Sequence, residues 1–153
     1  MIVFRLLKQK YSFTLSGEGA KAAGGRWNSP GITIIYTSES RSLATAEVAV
    51  NLPIGIFPVE FQMITLEVPD DLMIKEINEK DLPPGWKKFP YLKLTQHLGD
   101  EFILQNESLV MKVPSAVIPG DFNYLLNPRH PAFIRIQIIK TEPYEFDERF
   151  FSR

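Results

Sequence analysis

One carboxylate stands alone in a long uncharged stretch of the chain. Within residues 42–59 the only charged side chain is Glu47, and on a helix it would lie on the same side as Leu43 and Val50. A carboxylate beside an apolar face costs folding free energy unless it is paired, hydrogen-bonded or open to a cavity. Such placement is typical of functional acids. The pattern is equally compatible with a buried Glu–Arg pair that holds the helix to a strand.

A glycine-rich turn at residues 24–31, GGRWNSPG, contains an arginine and an indole. Glycine lets backbone amides approach an anion closely, and a guanidinium grips phosphate oxygens with two donors at once. The turn leads into a strand, whereas Walker loops and dinucleotide fingerprints lead into a helix. Taken alone, it is a weak sign of an anion site, and a hairpin connection with Arg26 in a salt bridge remains open.

The chain lacks the residue types that carry much of familiar catalysis. It has no cysteine and only two histidines, which excludes thiolate chemistry and leaves too few ligands for most zinc sites. We therefore expect no metal. Ser115, in VPSAVIP, has no histidine base at a fixed spacing and does not sit in a nucleophile elbow. We expect its hydroxyl to donate to the backbone or to a ligand.

Length and charge narrow the class of protein. The 153 residues, 44% of them hydrophobic and 23% charged, are enough for one core, so we expect a single domain over residues 1–153. Seventeen basic and eighteen acidic side chains leave a net charge of −1, without the basic runs that direct nucleic-acid binding requires. No apolar stretch approaches the roughly 20 residues of a membrane span. We expect a cytoplasmic protein that contacts neither nucleic acid nor membrane.

Strands outnumber helices in the hydrophobic pattern. β-Branched and aromatic residues predict five strands, and amphipathic spacing predicts two helices. The strands are expected at residues 2–7, 32–37, 59–68, 109–113 and 133–139, with a slip of register or a bulge in the third. The helices are expected at residues 40–52 and 96–105, the second capped by Thr95. Strands and helices do not alternate strictly, which favours an α+β fold with mostly antiparallel small sheets and a few helices.

The segment LPPGWKKFPY at residues 82–91 combines prolines with aromatic side chains. Aromatic residues are more often part of the core than of a site. We therefore interpret the segment as a rigid surface loop whose aromatic side chains pack down, in preference to a recognition loop.

Several motifs together closely resemble the RES domain family, which is named for its arginine, glutamate and serine. They are the arginine of GGRWNSPG, the tyrosine of IYTSES, the glutamate of LATAEVAV, the serine of VPSAVIP, and the closing NYLLNPRHPAF and FDERF. The likeness runs in order from residue 3 to the FDERF end. Phe4 departs from the family pattern, in which a tyrosine often precedes the arginine.

The resemblance implies a toxin that consumes NAD+, with a compact fold like that of the ADP-ribosyltransferases. NAD+ would be the substrate, and no metal would take part. The implied catalytic set is Arg26, Tyr36 and Glu47. The residues implied to help bind the dinucleotide are Arg5, Gly25, Trp27 and Ser115.

The residue types suit this chemistry. Cleavage of the bond between ribose and nicotinamide passes through an oxocarbenium-like state. It needs a nearby carboxylate, cationic donors for the pyrophosphate and an aromatic wall for the ring. The acceptor of the ADP-ribosyl group remains open between water, phosphate and a protein side chain.

The resemblance also implies a protein partner, an Xre-type helix-turn-helix antitoxin. A hypothesis of another class is a non-catalytic binding domain, in which the same polar residues form a buried network and the activity is capture of a protein partner. Release of nicotinamide from NAD+ distinguishes the two.

Overall fold

The computed structural model describes residues 1–12 and 14–152. This part of the chain contains seven β-strands and three α-helices, joined by loops and short 3-10 turns. The strands are β1 (Ile2–Lys8), β2 (Ile35–Ser38), β3 (Phe61–Glu67), β4 (Ile74–Glu76), β5 (Val110–Pro114), β6 (Phe122–Leu126) and β7 (Gln137–Tyr144). The helices are α1 (Glu18–Ala23), α2 (Arg41–Ala49) and α3 (Lys93–Gln105). Within the described ranges, no helix is long and apolar enough to cross a membrane.

All seven strands share one sheet, in the order β4-β5-β6-β2-β1-β3-β7. Neighbouring strands are antiparallel except for β4 and β5, which are parallel. The expected α+β class with mostly antiparallel pairing is confirmed.

The sheet divides into two halves near its centre. β1 pairs with β3 along all seven of its residues, and β2 pairs with β6. Between β1 and β2, Phe4 and Ser38 are the one pair that lies opposite in the described register. Past this pair the two strands separate. The expected small sheets are therefore two halves of one sheet, β1-β3-β7 and β2-β6-β5-β4, joined at a single position.

The two longer helices pack on different halves. α2 buries Ala44 against the β1-β3 half, and α3 buries Phe102 and Ile103 against the β5-β6 half. Each fully buried large apolar side chain contributes about 1.5–3 kcal/mol. The two indoles, Trp27 and Trp86, join the α3 cluster and connect the glycine-rich turn to it.

Both predicted helices are present with shifted ends. α2 begins after Ser40, whose Oγ accepts a hydrogen bond of 3.0 Å from the Leu43 N–H. It ends at Ala49, before the predicted residue 52. α3 begins at Lys93, so Thr95 lies inside the helix and does not cap it. The Thr95 hydroxyl instead donates to the Leu92 carbonyl at 2.9 Å.

Two predicted strands begin three or more residues later than the pattern indicates. β2 begins at Ile35, three residues after the expected start. The predicted strand from residue 133 first forms a 3-10 turn, because Pro131 begins the turn and the His130 side chain accepts a hydrogen bond from the Ala132 N–H. The strand that follows, β7, begins at Gln137.

The register slip or bulge predicted in the third strand does not lie in β3 itself. β3 pairs with β1 in continuous register, and the register shift near Thr65 leaves the extra residue, Ile139, on β7. The hydrophobic alternation changes phase because Met63 packs on the α2 side of the sheet, whereas Ile64 packs on the opposite face.

Candidate active site between the halves of the sheet

An open cleft of about 880 Å³ lies where β1 and β2 separate. Its wall takes residues from both halves of the sheet, from α2, from the glycine-rich turn and from the loop at residues 82–91. The volume is in the range of small-molecule sites. Six of the seven predicted site residues line the cleft: Arg5, Gly25, Arg26, Trp27, Tyr36 and Glu47. The seventh, Ser115, is buried and hydrogen-bonded to Glu47.

The Glu47 carboxylate is held by neutral hydrogen-bond donors. Its Oε1 atom accepts from Ser115 Oγ at 2.7 Å and from Asn123 Nδ2 at 2.6 Å. Glu47 forms no ion pair with any described residue. Nothing in the described structure therefore supports a buried Glu–Arg pair, and the carboxylate lies in the cleft wall without a cation bound to it among the described residues.

The Ser115 hydroxyl uses its full hydrogen-bonding capacity inside the protein. It donates to Glu47 and accepts from the backbone N–H groups of Val117 and Ile118, both at 3.0 Å. A hydroxyl has one donor and two acceptor positions. Ser115 therefore acts on the cleft through Glu47, and direct donation to a ligand would require it to release this carboxylate.

Tyr36 connects β2 to the glycine-rich turn. Its hydroxyl donates to Asn28 Oδ1 at 2.7 Å and accepts from the Trp27 N–H at 3.1 Å. Burial strongly raises the pKa of this phenol, so Tyr36 stays neutral at physiological pH and is a donor and a ring surface, not a base. A Cβ atom at Gly25 would lie 2.6 Å from the Tyr36 hydroxyl. Only glycine fits beside this hydroxyl.

The Arg26 guanidinium donates hydrogen bonds to three backbone carbonyls of the loop at residues 82–91. Its Nη1 atom donates to the carbonyls of Trp86 and, at 3.2 Å, Lys88, and its Nη2 atom donates to the Lys87 carbonyl at 3.1 Å. The hydrogen bonds described leave Nε–H and one Nη2 hydrogen available to a ligand. Burial lowers the pKa of Arg26, and the nearby Tyr91 and Glu47 oppose this shift. Backbone carbonyls thus hold Arg26, and no described residue forms a salt bridge with it.

The loop at residues 82–91 is both a structural support and part of the cleft wall. Trp86 packs down as predicted, with its ring centroid 6.1 Å from that of Trp27. Phe89 is 78% exposed, and it lines the cleft together with Tyr91. The Arg26 guanidinium lies 5.1 Å from the centre of the Tyr91 ring, a cation–π distance. Interpretation as a surface loop alone is incomplete, because two of its aromatic side chains reach the cleft.

Arg5 is a partly buried cation that forms no ion pair with any described residue. It lies on β1 in the cleft wall, and its Nη1 atom has no hydrogen-bond partner among the described residues. Burial lowers its pKa to about 10, so the guanidinium still carries its charge at neutral pH. Because a buried charge without a counterion costs free energy, the cleft favours a bound anion at this position.

Sequence patterns miss three residues of this site. Asn123 lies on β6, which has no clear alternation of apolar and polar residues. Phe89 and Tyr91 lie in the proline-rich loop. The one available signal for Asn123 is its place in the NYLLNPRHPAF motif, and for the two aromatic residues it is their spacing among prolines in a short loop.

Fold and site together define a small α+β protein with an open cleft lined by two arginines, a carboxylate and aromatic rings. Residues 2–147 match the RES domain. The chain belongs to the RES domain family, as its motifs predict.

Relatives of nearly the same length support this assignment. The chain is 33% identical over 141 residues to a protein of Sphingobium sp. named Prs ADP-ribosylating toxin, covering 91% of this chain and 88% of that protein. It is 33% identical over 151 residues to Toxin Res of Yersinia enterocolitica, covering 97% and 99%. It is 36% identical over 139 residues to Toxin Res of Pseudomonas putida, covering 90% and 92%.

The fold has a solved counterpart. It is similar to a chain in the crystal structure of the Mycobacterium tuberculosis MbcT–MbcA toxin–antitoxin complex, with a TM-score of 0.73 over 94% of this chain and 84% of that chain. Sequence identity is 19%, so the likeness is one of fold.

Proposed function

We propose that this RES domain protein is a toxin of a toxin–antitoxin pair that cleaves the bond between ribose and nicotinamide in NAD+. The observation that carries the proposal is the Glu47 carboxylate, held by a hydrogen bond from Ser115, in a cleft that also holds Arg5, whose Nη1 atom has no hydrogen-bond partner among the described residues. Relatives named Toxin Res and ADP-ribosylating toxin, at 33–36% identity over most of both chains, support it.

Glu47 is the proposed electrostatic centre of the reaction. When the bond from C1′ of the ribose to the nicotinamide nitrogen breaks, the electron pair leaves with the nicotinamide, and positive charge develops on the ribose. The leaving group departs neutral, so no general acid is needed. A carboxylate fixed beside the developing charge lowers the barrier, an effect that in other enzymes reaches several kcal/mol.

The two arginines of the cleft are the proposed phosphate ligands. Arg5 lines the cleft with Nη1 unpartnered among the residues described, and Arg26 keeps two N–H donors beyond those that hold the loop. Gly25 lines the same cleft and leaves room for the Tyr36 hydroxyl beside it. The arginines are thus assigned to the pyrophosphate and Glu47 to the ribose.

The aromatic side chains form the proposed wall for the nicotinamide ring. Tyr36 and Trp27 line the cleft together with Phe89 and Tyr91. The nicotinamide of NAD+ is cationic before cleavage, and cations are attracted to the faces of aromatic rings. Loss of the ring charge on cleavage weakens this attraction, which favours release of nicotinamide.

Toxins of this kind need a partner that silences them, because an enzyme that consumes NAD+ freely would arrest its own host. We propose an antitoxin protein of the Xre helix-turn-helix type that covers the cleft, and a cytoplasmic location, where NAD+ is found. The similar fold in a toxin–antitoxin complex supports a protein partner.

The test is to incubate the purified protein with NAD+ and to measure free nicotinamide. We expect nicotinamide together with ADP-ribose, ADP-ribose 1″-phosphate or a modified protein, and the identity of this second product fixes the acceptor. Release of no nicotinamide with water, phosphate or a cell extract as acceptor source would favour the non-catalytic binding domain.

A further inference from the structure

Asn123 occupies a central position in the wall of the cleft. It lies on β6 directly opposite Ser38 of β2, and it is 8% exposed. Its amide nitrogen donates to Glu47 Oε1 at 2.6 Å, and its amide oxygen accepts from Ser38 Oγ at 2.7 Å. The three side chains therefore form a chain of hydrogen bonds that ends on the carboxylate.

The chemistry of this chain sets its direction. A carboxylate only accepts hydrogen bonds, so the amide must turn its nitrogen toward Glu47 and its oxygen toward Ser38. The Ser38 hydroxyl then donates to that oxygen and holds the far end of the amide in place. Ser38 orients Asn123, and Asn123 in turn orients Glu47.

The same contacts leave one carboxylate oxygen for the ligand. Both Ser115 and Asn123 donate to Oε1, and Oε2 has no hydrogen-bond partner within the described residues. Two donors on one oxygen fix the plane of the carboxylate and its rotation. The free oxygen belongs to a side chain that lines the cleft.

We propose that Asn123, oriented by Ser38, is a positioning residue that holds Glu47 with Oε2 toward the ribose of the substrate. This inference rests on the proposed function and deepens it. α2 packs on the β1-β3 half of the sheet, whereas Ser38, Ser115 and Asn123 belong to the β2-β6-β5 half or its end. The network thus ties the helix that carries the carboxylate to β6 and to the residue that follows β5.

The test compares single variants with their double variant. We expect Asn123→Ala to lower kcat for nicotinamide release roughly 10-fold to 100-fold with KM for NAD+ changed less than about threefold, because the geometry of the charge is lost and the binding groups remain. Ser38→Ala should lower kcat less, and Ser38→Thr, which keeps the hydroxyl, should restore it. Because Ser38 acts through Asn123, Ser38→Ala should add nothing to Asn123→Ala.

The matched control is Asn127→Ala on the same chain segment. Asn127 is fully buried, with its amide hydrogen-bonded to Asn106 and the Arg129 N–H, and it is absent from the cleft wall. The Asn127→Ala variant should have a lower unfolding temperature than the wild type and an unchanged kcat. If Asn123→Ala does not fold, the comparison of Ser38→Ala with Ser38→Thr decides alone.

Two results would overturn the inference while leaving the proposed function intact. In the first, the wild type is active and folded Asn123→Ala has the same kcat as the wild type. If Asn123→Ala does not fold, the same result in Ser38→Ala counts instead. The other is a Ser38→Ala loss that is fully additive with that of Asn123→Ala. A wild type that releases no nicotinamide would refute the proposed function instead.

Discussion

At the scale of single residues, Gly25 sets the width of the site. A methyl group there would meet the Tyr36 hydroxyl at 2.6 Å and Asn28 Oδ1 at 3.0 Å, and both atoms are fixed by their mutual hydrogen bond. We expect Gly25→Ala to lower the free energy of unfolding by about 1–3 kcal/mol in urea denaturation, and to displace the Tyr36 ring from the cleft.

Gly19 offers the matched control. It lies inside α1 with no atom within 4 Å of a new Cβ, so Gly19→Ala should raise the free energy of unfolding by about 0.5–1 kcal/mol. Equal stability of the two alanine variants would contradict the argument from space at Gly25.

The charge of Arg5 lowers the stability of the folded protein, and we expect it to contribute to ligand binding. Burial lowers the pKa of Arg5 to about 10 in the folded protein, so the charged form is disfavoured there at every pH below about 10. The penalty disappears only as the pH rises toward the unfolded value. We expect Arg5→Met to raise the free energy of unfolding at pH 7 by about 1–3 kcal/mol and to abolish most of the thermal stabilisation by NAD+.

Thermal unfolding with and without NAD+ measures both effects. Arg41→Met removes an arginine that is paired with Glu142 on the surface, and it should change stability by less than about 1 kcal/mol and keep the response to NAD+. A destabilised Arg5→Met that still responds fully to NAD+ would show that Arg5 is structural.

At the scale of elements, the loop at residues 82–91 depends on Arg26. Three carbonyls of this loop share one planar guanidinium, and an ammonium cannot reproduce that arrangement. We expect Arg26→Lys to lose most turnover and to increase hydrogen exchange at residues 86–91. Near-native turnover in Arg26→Lys, with loss in Arg26→Ala, would reduce its role to charge alone.

The sequence predicts those elements that carry a clear local signal of composition or capping. The mixed aliphatic composition of β1 and the capped start of α2 at Ser40 are local signals, and both elements are present. β6 escapes prediction because it carries the site residue Asn123, which interrupts its apolar pattern. α1 escapes prediction because the six residues between Gly17 and Gly24 are too few to show a helical repeat of apolar residues.

The site divides in the same way. Arg26, Tyr36 and Glu47 belong to recognisable motifs, and all three reach one cleft. The carbonyl partners of Arg26 lie some 60 residues along the chain, and the saturated hydroxyl of Ser115 depends on a local turn. Long-range backbone contacts and turn geometry cannot be predicted from residue type or spacing.

At the scale of the whole molecule, the cleft exists because two half-sheets meet at one residue pair, Phe4 and Ser38. This arrangement opens the centre of the sheet to a ligand. The proposed function makes the molecule harmful to its host, and we expect growth arrest when the protein is expressed without its partner. Cellular NAD+ should fall before growth stops, as measured in timed extracts. Normal NAD+ in arrested cells would contradict the proposed substrate.

The central claim is that the negative charge of Glu47 drives bond cleavage. Glu47→Gln is a clean test, because glutamine Oε1 can accept from both Ser115 and Asn123, and no described cation is left unpaired. The variant should therefore fold and bind NAD+.

Nicotinamide release by folded Glu47→Gln at saturating NAD+ is the decisive measurement. The account predicts a rate roughly 100-fold to 1,000-fold below that of the wild type, the scale of losing one electrostatic contact in the transition state. A folded, NAD+-binding Glu47→Gln protein that releases nicotinamide at the wild-type rate would contradict it.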